Sequence, residues 1–300
     1  MKKSFLFVLM SIILGTGVSF AQTGGDNTFE GEMTSDLASV QKVKSQVLSN
    51  NLIVKMVLKK AMKNLEDNGF YTGNYKSTVV AKGNKYRIYT PYNNSYTIVE
   101  KNGDQMKTTV YFPYVKKGYY SNTDMTANQQ QMELMRKGTI EKTGETMTIL
   151  GYKCDVYKVK YETTTDSAGT KSTTIMHNEY AITSDPSLPE SDKEVLPGVK
   201  GVPLKFINNT VSQSSMEKML NLDILMYIAS EVKEVKLRPV DDSELVVPSD
   251  IKLYDRSKDA KEVAKMLEAN QKYMKKKGLW KEVSPDDVKI YDNLNEDWEY

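Results

Sequence analysis

The 300-residue chain contains one cysteine and one histidine. A single cysteine rules out an intramolecular disulfide, and a Cys/His zinc cluster or a histidine-based nucleophile triad has almost no material to draw on. Beyond the first twenty or so residues, apolar runs last only a handful of positions, far short of the roughly 20 that a membrane-spanning helix takes. Charge of one sign is also lacking, with 41 basic side chains against 39 acidic ones. With Lys2 and Lys3 set aside as part of a leader, the two signs balance. Such a chain lacks the concentrated positive field that releases phosphate counterions, so a general nucleic-acid surface is not expected. No G-x-S-x-G elbow, P-loop, G-x-G-x-x-G turn, H-E-x-x-H pair or EF-hand loop occurs. The expectation is therefore a non-enzymatic protein with no cofactor and no metal. Adjacent acids such as Asp241-Asp242 and Asp286-Asp287 read as strand or solvated loop residues. The enzymatic alternative is a hydrolase that brings two distant carboxylates together.

What the chain does have begins at its start. Met1-Lys2-Lys3, the apolar stretch from Phe5 to Gly17 and the small residues of Ser19-Phe20-Ala21 follow the layout of a cleaved export signal. The expected mature chain begins at Gln22 and is periplasmic or secreted, without an integral membrane span. The rest divides into a helical segment over 22–69, a β domain over 70–256, and a C-terminal helix with an acidic tail over 257–300.

In the first segment Leu37, Val40, Val43, Val47, Ile53/Val54, Val57/Leu58, Ala61/Met62 and Leu65 recur with helical spacing, which predicts an amphipathic stretch ended by Asn68-Gly69. From Phe70 the period drops to two. Tyr75, Val79 and Ala81, then Tyr86 and Ile88, Tyr96 and Ile98, and Met106, Val110 and Phe112 alternate with polar residues, and Asn102-Gly103 favours a tight hairpin. Gln129 to Arg136 reads as a short helix. A second meander runs through Thr146–Leu150, Cys154–Glu162 and Lys171–Ile182, with a turn at Asp166 to Gly169. After a loop over Ser184–Lys200, Leu204–Val211 reads as a strand, Met216 to Tyr227 as a Met-rich helix and Val232–Leu237 as another strand. Asp259 and Glu262 resemble a capping box for a helix that ends at Gly278. The absence of regular strand-helix-strand alternation predicts an α+β fold built on antiparallel strands.

Tyrosine outnumbers phenylalanine 19 to 7 and concentrates in these strands. One reading is ordinary strand propensity, because the ring is apolar and the hydroxyl can stay wet. The sharper reading is a concave face lined by Tyr86, Tyr96, Tyr157, Tyr161 and Tyr180 with Ile88, Ile98, Met106, Phe112 and Met176. Met216, Met219 and Met226 would form an adaptable lid over an elongated apolar ligand. Core packing competes with ligand lining at each position. Alternation places His177 away from the Met176, Tyr180 and Ile182 face, as a surface residue. Cys154 reads as a buried small hydrophobe.

Several stretches in order carry a resemblance. Lys82-Gly83-Asn84-Lys85-Tyr86-Arg87 comes first. Thr143 through Tyr157 follows, with Ile149-Leu150-Gly151-Tyr152-Lys153-Cys154 its most specific piece. Glu179-Tyr180-Ala181-Ile182-Thr183 and Gly201-Val202-Pro203-Leu204 complete the set. Together they resemble the DUF4412 family of exported bacterial proteins, related to the LolA/LolB-like lipoprotein carriers, over about Phe70 to Pro248. The resemblance implies an antiparallel half-open β-barrel with helices on its concave side, and in the carriers such a cavity holds acyl chains. Arg87 matches the basic position that follows the first motif, where it either pairs a carboxylate at the cavity mouth or lies on the sheet surface. No activity transfers residue by residue. The part after about Ser257 lies outside the resemblance, and the N-terminal helix is longer than the family's. Two functions are thus expected: binding of a lipid or other apolar molecule in the half-barrel, or docking of an envelope protein partner through the helices or the acidic tail.

Overall fold

The computed structural model describes residues 29–45, 73–91, 93–103, 105–124, 137–167, 170–188, 194–214 and 222–279. The expected export signal, the helical stretch beyond position 45, the short helix at 129–136, Met216, Met219 and the acidic tail lie outside the described residues.

A first meander comprises β1 (Glu30–Ser45), β2 (Gly73–Lys82), β3 (Lys85–Thr90), β4 (Ser95–Asn102), β5 (Gln105–Phe112) and β6 (Lys117–Asp124), each antiparallel to the next. A second comprises β7 (Thr139–Ile149), β8 (Tyr152–Ser167), β9 (Thr170–Thr183), β12 (Val202–Ser214) and β13 (Leu222–Leu237). Between β9 and β12 lies a small hairpin, β10 (Glu194–Leu196) and β11 (Val199–Lys200). The long antiparallel ladder of β1 against β13 joins the two meanders. β14 (Lys252–Asp255) adds to β6 in parallel, and α1 (Ala260–Lys276) follows. The result is one 12-stranded sheet with β14 and β7 at its edges, and it is not closed. An α+β protein with a large open antiparallel sheet and a C-terminal helix agrees with the sequence reading at this level.

Two elements differ from it. β1 occupies the start of the expected N-terminal helix. Phe29, Gly31, Met33, Ser35 and Leu37 alternate as buried residues, and from Leu37 to Val40 four consecutive positions are buried. β13 likewise replaces the end of the expected Met-rich helix, with Met226 through Ser230 all buried. Both strands lie in the middle of the sheet and are covered on both faces. Such a strand loses its two-residue period, and spacing alone cannot tell it from a buried helix.

The turns follow backbone chemistry. Asn102 pairs with Gln105, so that hairpin closes one residue later than the Asn-Gly pair suggested. In the Ile149-to-Tyr152 hairpin both central residues, Leu150 and Gly151, have positive φ, at 52° and 85°. A type I′ turn requires this, and Gly or Asn meets it more cheaply than Leu. Leu150 is also 43% exposed. Leu150→Asn is therefore expected to stabilise the fold by about 0.5–1 kcal/mol in urea unfolding. A loss of stability would show that the leucine makes a contact that matters.

The edges are protected. β7 carries Glu141 and Lys142 and shifts register between Lys142 and Thr146, where Thr143 Oγ1 donates to the Val156 carbonyl at 3.2 Å. Charge and a bulge of this kind discourage pairing with another chain. At the other edge α1 packs Val263 and Met266 onto Val110, Phe112 and Tyr119. α1 ends as expected at Gly278, whose N–H donates to the Lys275 carbonyl while Leu279 N–H donates to that of Met274, a Schellman arrangement. The expected cap at its start is absent, since Asp259 instead accepts from the backbone N–H of Asp255 at 3.0 Å.

A strap carries the chain from β13 to β14. Val240 and Leu245 pack on Val80. Arg238 donates from Nη1 and Nη2 to the two oxygens of Glu244, both at 2.8 Å, and from Nη2 to Glu32 at 3.2 Å. Lys82 donates to the Val240 carbonyl and to Asp242. Asp241 and Glu244 form a reciprocal capping box around a short 3-10 turn, Asp242–Leu245. The adjacent acids Asp241-Asp242 are therefore structural rather than merely solvated. Hydrogen bonding from Arg238 holds the Glu244 carboxyl at about 2, below its usual 4.5. A depressed carboxyl contributes stability above its unfolded pKa and loses it as pH falls through the folded one. Wild type should thus exceed Glu244→Gln by about 1–2 kcal/mol at pH 7, the pair being partly screened. Acid unfolding curves of the two should converge between pH 4.5 and about 2; parallel curves would remove the pair from the strap.

Candidate functional site

Residues opposite each other in a ladder share a face, so register sorts the candidate residues. One chain of partners runs Tyr157, Tyr180, Phe206, Ser230, Leu37 and Tyr75 across β8, β9, β12, β13, β1 and β2. Another runs Met33, Val79, Ile88, Thr97, Val110 and Tyr119 across β1 to β6. Leu37 and Met33 are separated by four on β1, so both chains lie on one face. That face bears α1 and the β10–β11 hairpin. It carries eight of the expected site residues: Tyr86, Ile88, Met106, Phe112, Tyr157, Tyr161, Met176 and Tyr180.

Three belong to the opposite face. Arg87 pairs with Ile98, and Tyr96 lies between Tyr89 and Tyr111 with ring centroids at 4.7 and 5.2 Å. Tyr86 and Arg87 are neighbours on a strand and cannot share a face, and the same parity sends Tyr96 and Ile98 with Arg87. The Arg87 guanidinium lies over the Tyr96 ring at 5.4 Å and hydrogen-bonds Tyr111, on the strap side of the sheet. Met219 lies outside the described residues.

The eight form three packed groups. Tyr86, Ile88 and Met106 join Phe29, Met33, Val79 and Val99, and this cluster continues to Ile149, Cys154, Ala181, Val202 and Leu204. Tyr161, Met176 and Tyr180 pack with Phe206 and Tyr157 beneath Leu196, Val195 and Val199 of the β10–β11 hairpin. Phe112 lies under α1. The cover over the tyrosines is thus a hairpin, in a region that reads as loop from sequence. Ala181, Cys154, Met147 and Ile149 have parity opposite to Tyr180 and Tyr157, so the second meander contributes its other face to the first cluster. Cys154 is fully buried, as expected, and burial pushes its thiol up and away from reactivity. His177 has the parity expected of it, and partial burial followed by Lys160 lowers its imidazole pKa. Among the described residues no group of three or more His, Cys, Asp or Glu side chains could hold a metal.

Two features escaped sequence reasoning. The first is the Tyr86 hydroxyl, which has no hydrogen-bond partner although the residue is 1% exposed. Burial alone pushes its pKa above the usual tyrosine value. The second is a buried polar ladder between the apolar clusters. Thr210 Oγ1 donates to Asn208 Oδ1 at 2.9 Å, Asn208 Nδ2 donates to Asn178 Oδ1 at 2.6 Å, and Asn178 Nδ2 donates to the Tyr180 hydroxyl at 3.3 Å. Asn208 and Asn178 are register partners on the hairpin-bearing face. Their only sequence signal was asparagine at strand positions of core parity, which β propensity disfavours.

Fold and site together define an open antiparallel-sheet protein with an aromatic, partly covered face. No family model and no curated protein matches the chain. Among solved structures it is similar to one described as "Structure of PNGF-II in C2 space group", at 12% identity and a TM-score of 0.32, over 79% of this chain and 33% of that one. The present chain thus spans about a third of that chain's length.

Proposed function

We propose that this is an exported, non-enzymatic protein that binds a lipid or another apolar molecule on the hairpin-bearing face, with the sheet coiled as a LolA-like half-barrel. The observation that carries the reading is the partnerless Tyr86 hydroxyl inside an apolar cluster. A buried hydroxyl without a partner costs about 1–3 kcal/mol, and a phenylalanine would avoid that cost. A bound molecule with an oxygen acceptor answers it. The cover that opens is the β10–β11 hairpin. Periplasmic or secreted location follows from the export signal in the sequence, and no helix among the described residues is long and apolar enough to cross a membrane.

Native mass spectrometry of protein gently extracted from its own envelope should show a bound mass, and the stripped protein should take up a fluorescent fatty acyl probe. A ligand-free protein that also refuses the probe defeats the proposal.

A second reading, an envelope protein-interaction module, draws on the end of α1. Tyr114 is 44% and Leu279 48% exposed, Tyr114 stacks on Tyr273 at 4.6 Å, and Lys277 lies over the Tyr273 ring at 5.9 Å. Partner capture that survives in Leu279→Ser and in a chain lacking 284–300 would count against it.

A further inference from the structure

We infer that the ladder of Thr210, Asn208, Asn178 and Tyr180 is a subsite for a neutral carbonyl group, the ester or amide of an acylated ligand. The argument is a count of hydrogens. Each asparagine amide has two N–H donors, and the tyrosine and threonine hydroxyls have one each. Thr210 uses its donor on Asn208, Asn208 uses one on Asn178, and Asn178 uses one on Tyr180. Among the described residues these four side chains make no other hydrogen bond. One N–H of Asn208, one N–H of Asn178 and the Tyr180 O–H therefore lack acceptors, although the four residues are only 1–7% exposed.

Buried donors are almost always met in native proteins, and a cluster of donors unmet among the described residues calls for an acceptor from outside them. The surplus consists of donors, so the group that fits is an acceptor. The ladder holds no cation, and a carboxylate buried there would keep an uncompensated charge, so a neutral carbonyl fits better than an acid. The position agrees with this chemistry. Val159 and Met226 flank the ladder in register on β8 and β13, and Tyr161, Met176 and Phe206 pack around it. A carbonyl at the ladder would leave its acyl chain on apolar side chains. The subsite rests on the binding reading above and names the ligand class that reading leaves open.

The test compares methyl palmitate with hexadecane, delivered from cyclodextrin, on full-length stripped protein. Wild type should bind the ester about tenfold more tightly than the hydrocarbon. Tyr180→Phe keeps the ring against Phe206 and removes only the hydroxyl. It should weaken the ester about five- to tenfold, the worth of one hydrogen bond, and leave hexadecane within about twofold. Asn208→Leu, similar in size, should act in the same direction, so the test does not hang on the folding of one variant. Equal binding of ester and hydrocarbon, unchanged in both variants, would overturn the subsite and leave apolar binding intact, the donors then being met by ordered water. Failure of wild type to bind either probe would overturn the binding reading and the subsite with it.

Discussion

Gly31→Ala is expected to cost more than about 3 kcal/mol or to prevent folding. Gly31 has φ of +156°, and a Cβ there would lie 2.2 Å from the Lys236 carbonyl oxygen and 3.2 Å from the Leu237 Cα. All of these neighbours are backbone in the facing strand, so no side chain can turn aside. The strain falls at one end of the β1–β13 ladder, which among the described residues is where the two meanders pair in the sheet. Gly144→Ala is the control. Its φ is +82° and a Cβ would meet nothing within 4 Å, so only the backbone penalty applies, about 1 kcal/mol. Urea unfolding of the two variants should separate them clearly. A Gly31→Ala protein within 0.5 kcal/mol of wild type would mean that β1 and β13 do not approach as described.

Leu196→Ala should also have a large effect, about 2–4 kcal/mol. The side chain is fully buried among Tyr161, Met176, Tyr180 and Phe206, although it sits on a hairpin held by only two register pairs, Glu194 with Lys200 and Leu196 with Val199. Its burial therefore anchors the hairpin far more than its own ladder does. A loss below about 1 kcal/mol would show that the hairpin opens independently of the sheet, since local opening uncouples a residue from global stability. Either value sets how much free energy an apolar ligand must supply to displace the cover.

The elements legible from sequence were those with one face in the core. β3 kept its alternation, β2, β4, β5, β8 and β9 kept it over part of their length, and α1 ended at Gly278 with Val263, Met266, Asn270 and Met274 buried. β1 and β13 were misread for one shared reason, burial on both faces at the middle of the sheet. β6 and β14 went unseen because Lys117-Gly118-Tyr119-Tyr120-Ser121 and Lys252-Leu253-Tyr254-Asp255 are short and polar, and their pairing depends on a strap that no local pattern announces. The tyrosine face was legible in part. Parity within each strand was sound, but comparing strands requires register, and without it Tyr96 and Ile98 were grouped with Tyr86. The asparagine ladder could not be read, because its meaning lies in hydrogens left over after pairing.

The seam between β1 and β13 has a consequence for the order of assembly. Gly31 faces Leu237, so the first strand of the sheet waits for a partner made some two hundred residues later. Each meander can form from neighbouring hairpins, whereas joining them closes one very long loop, the slow kind of event in folding. Until then β1 is an open edge with apolar side chains on both faces, the form of strand most prone to pair with another chain. The newly made protein is therefore most vulnerable after most of its hairpins exist and before the last long strand arrives, and that interval is when a chaperone would matter most.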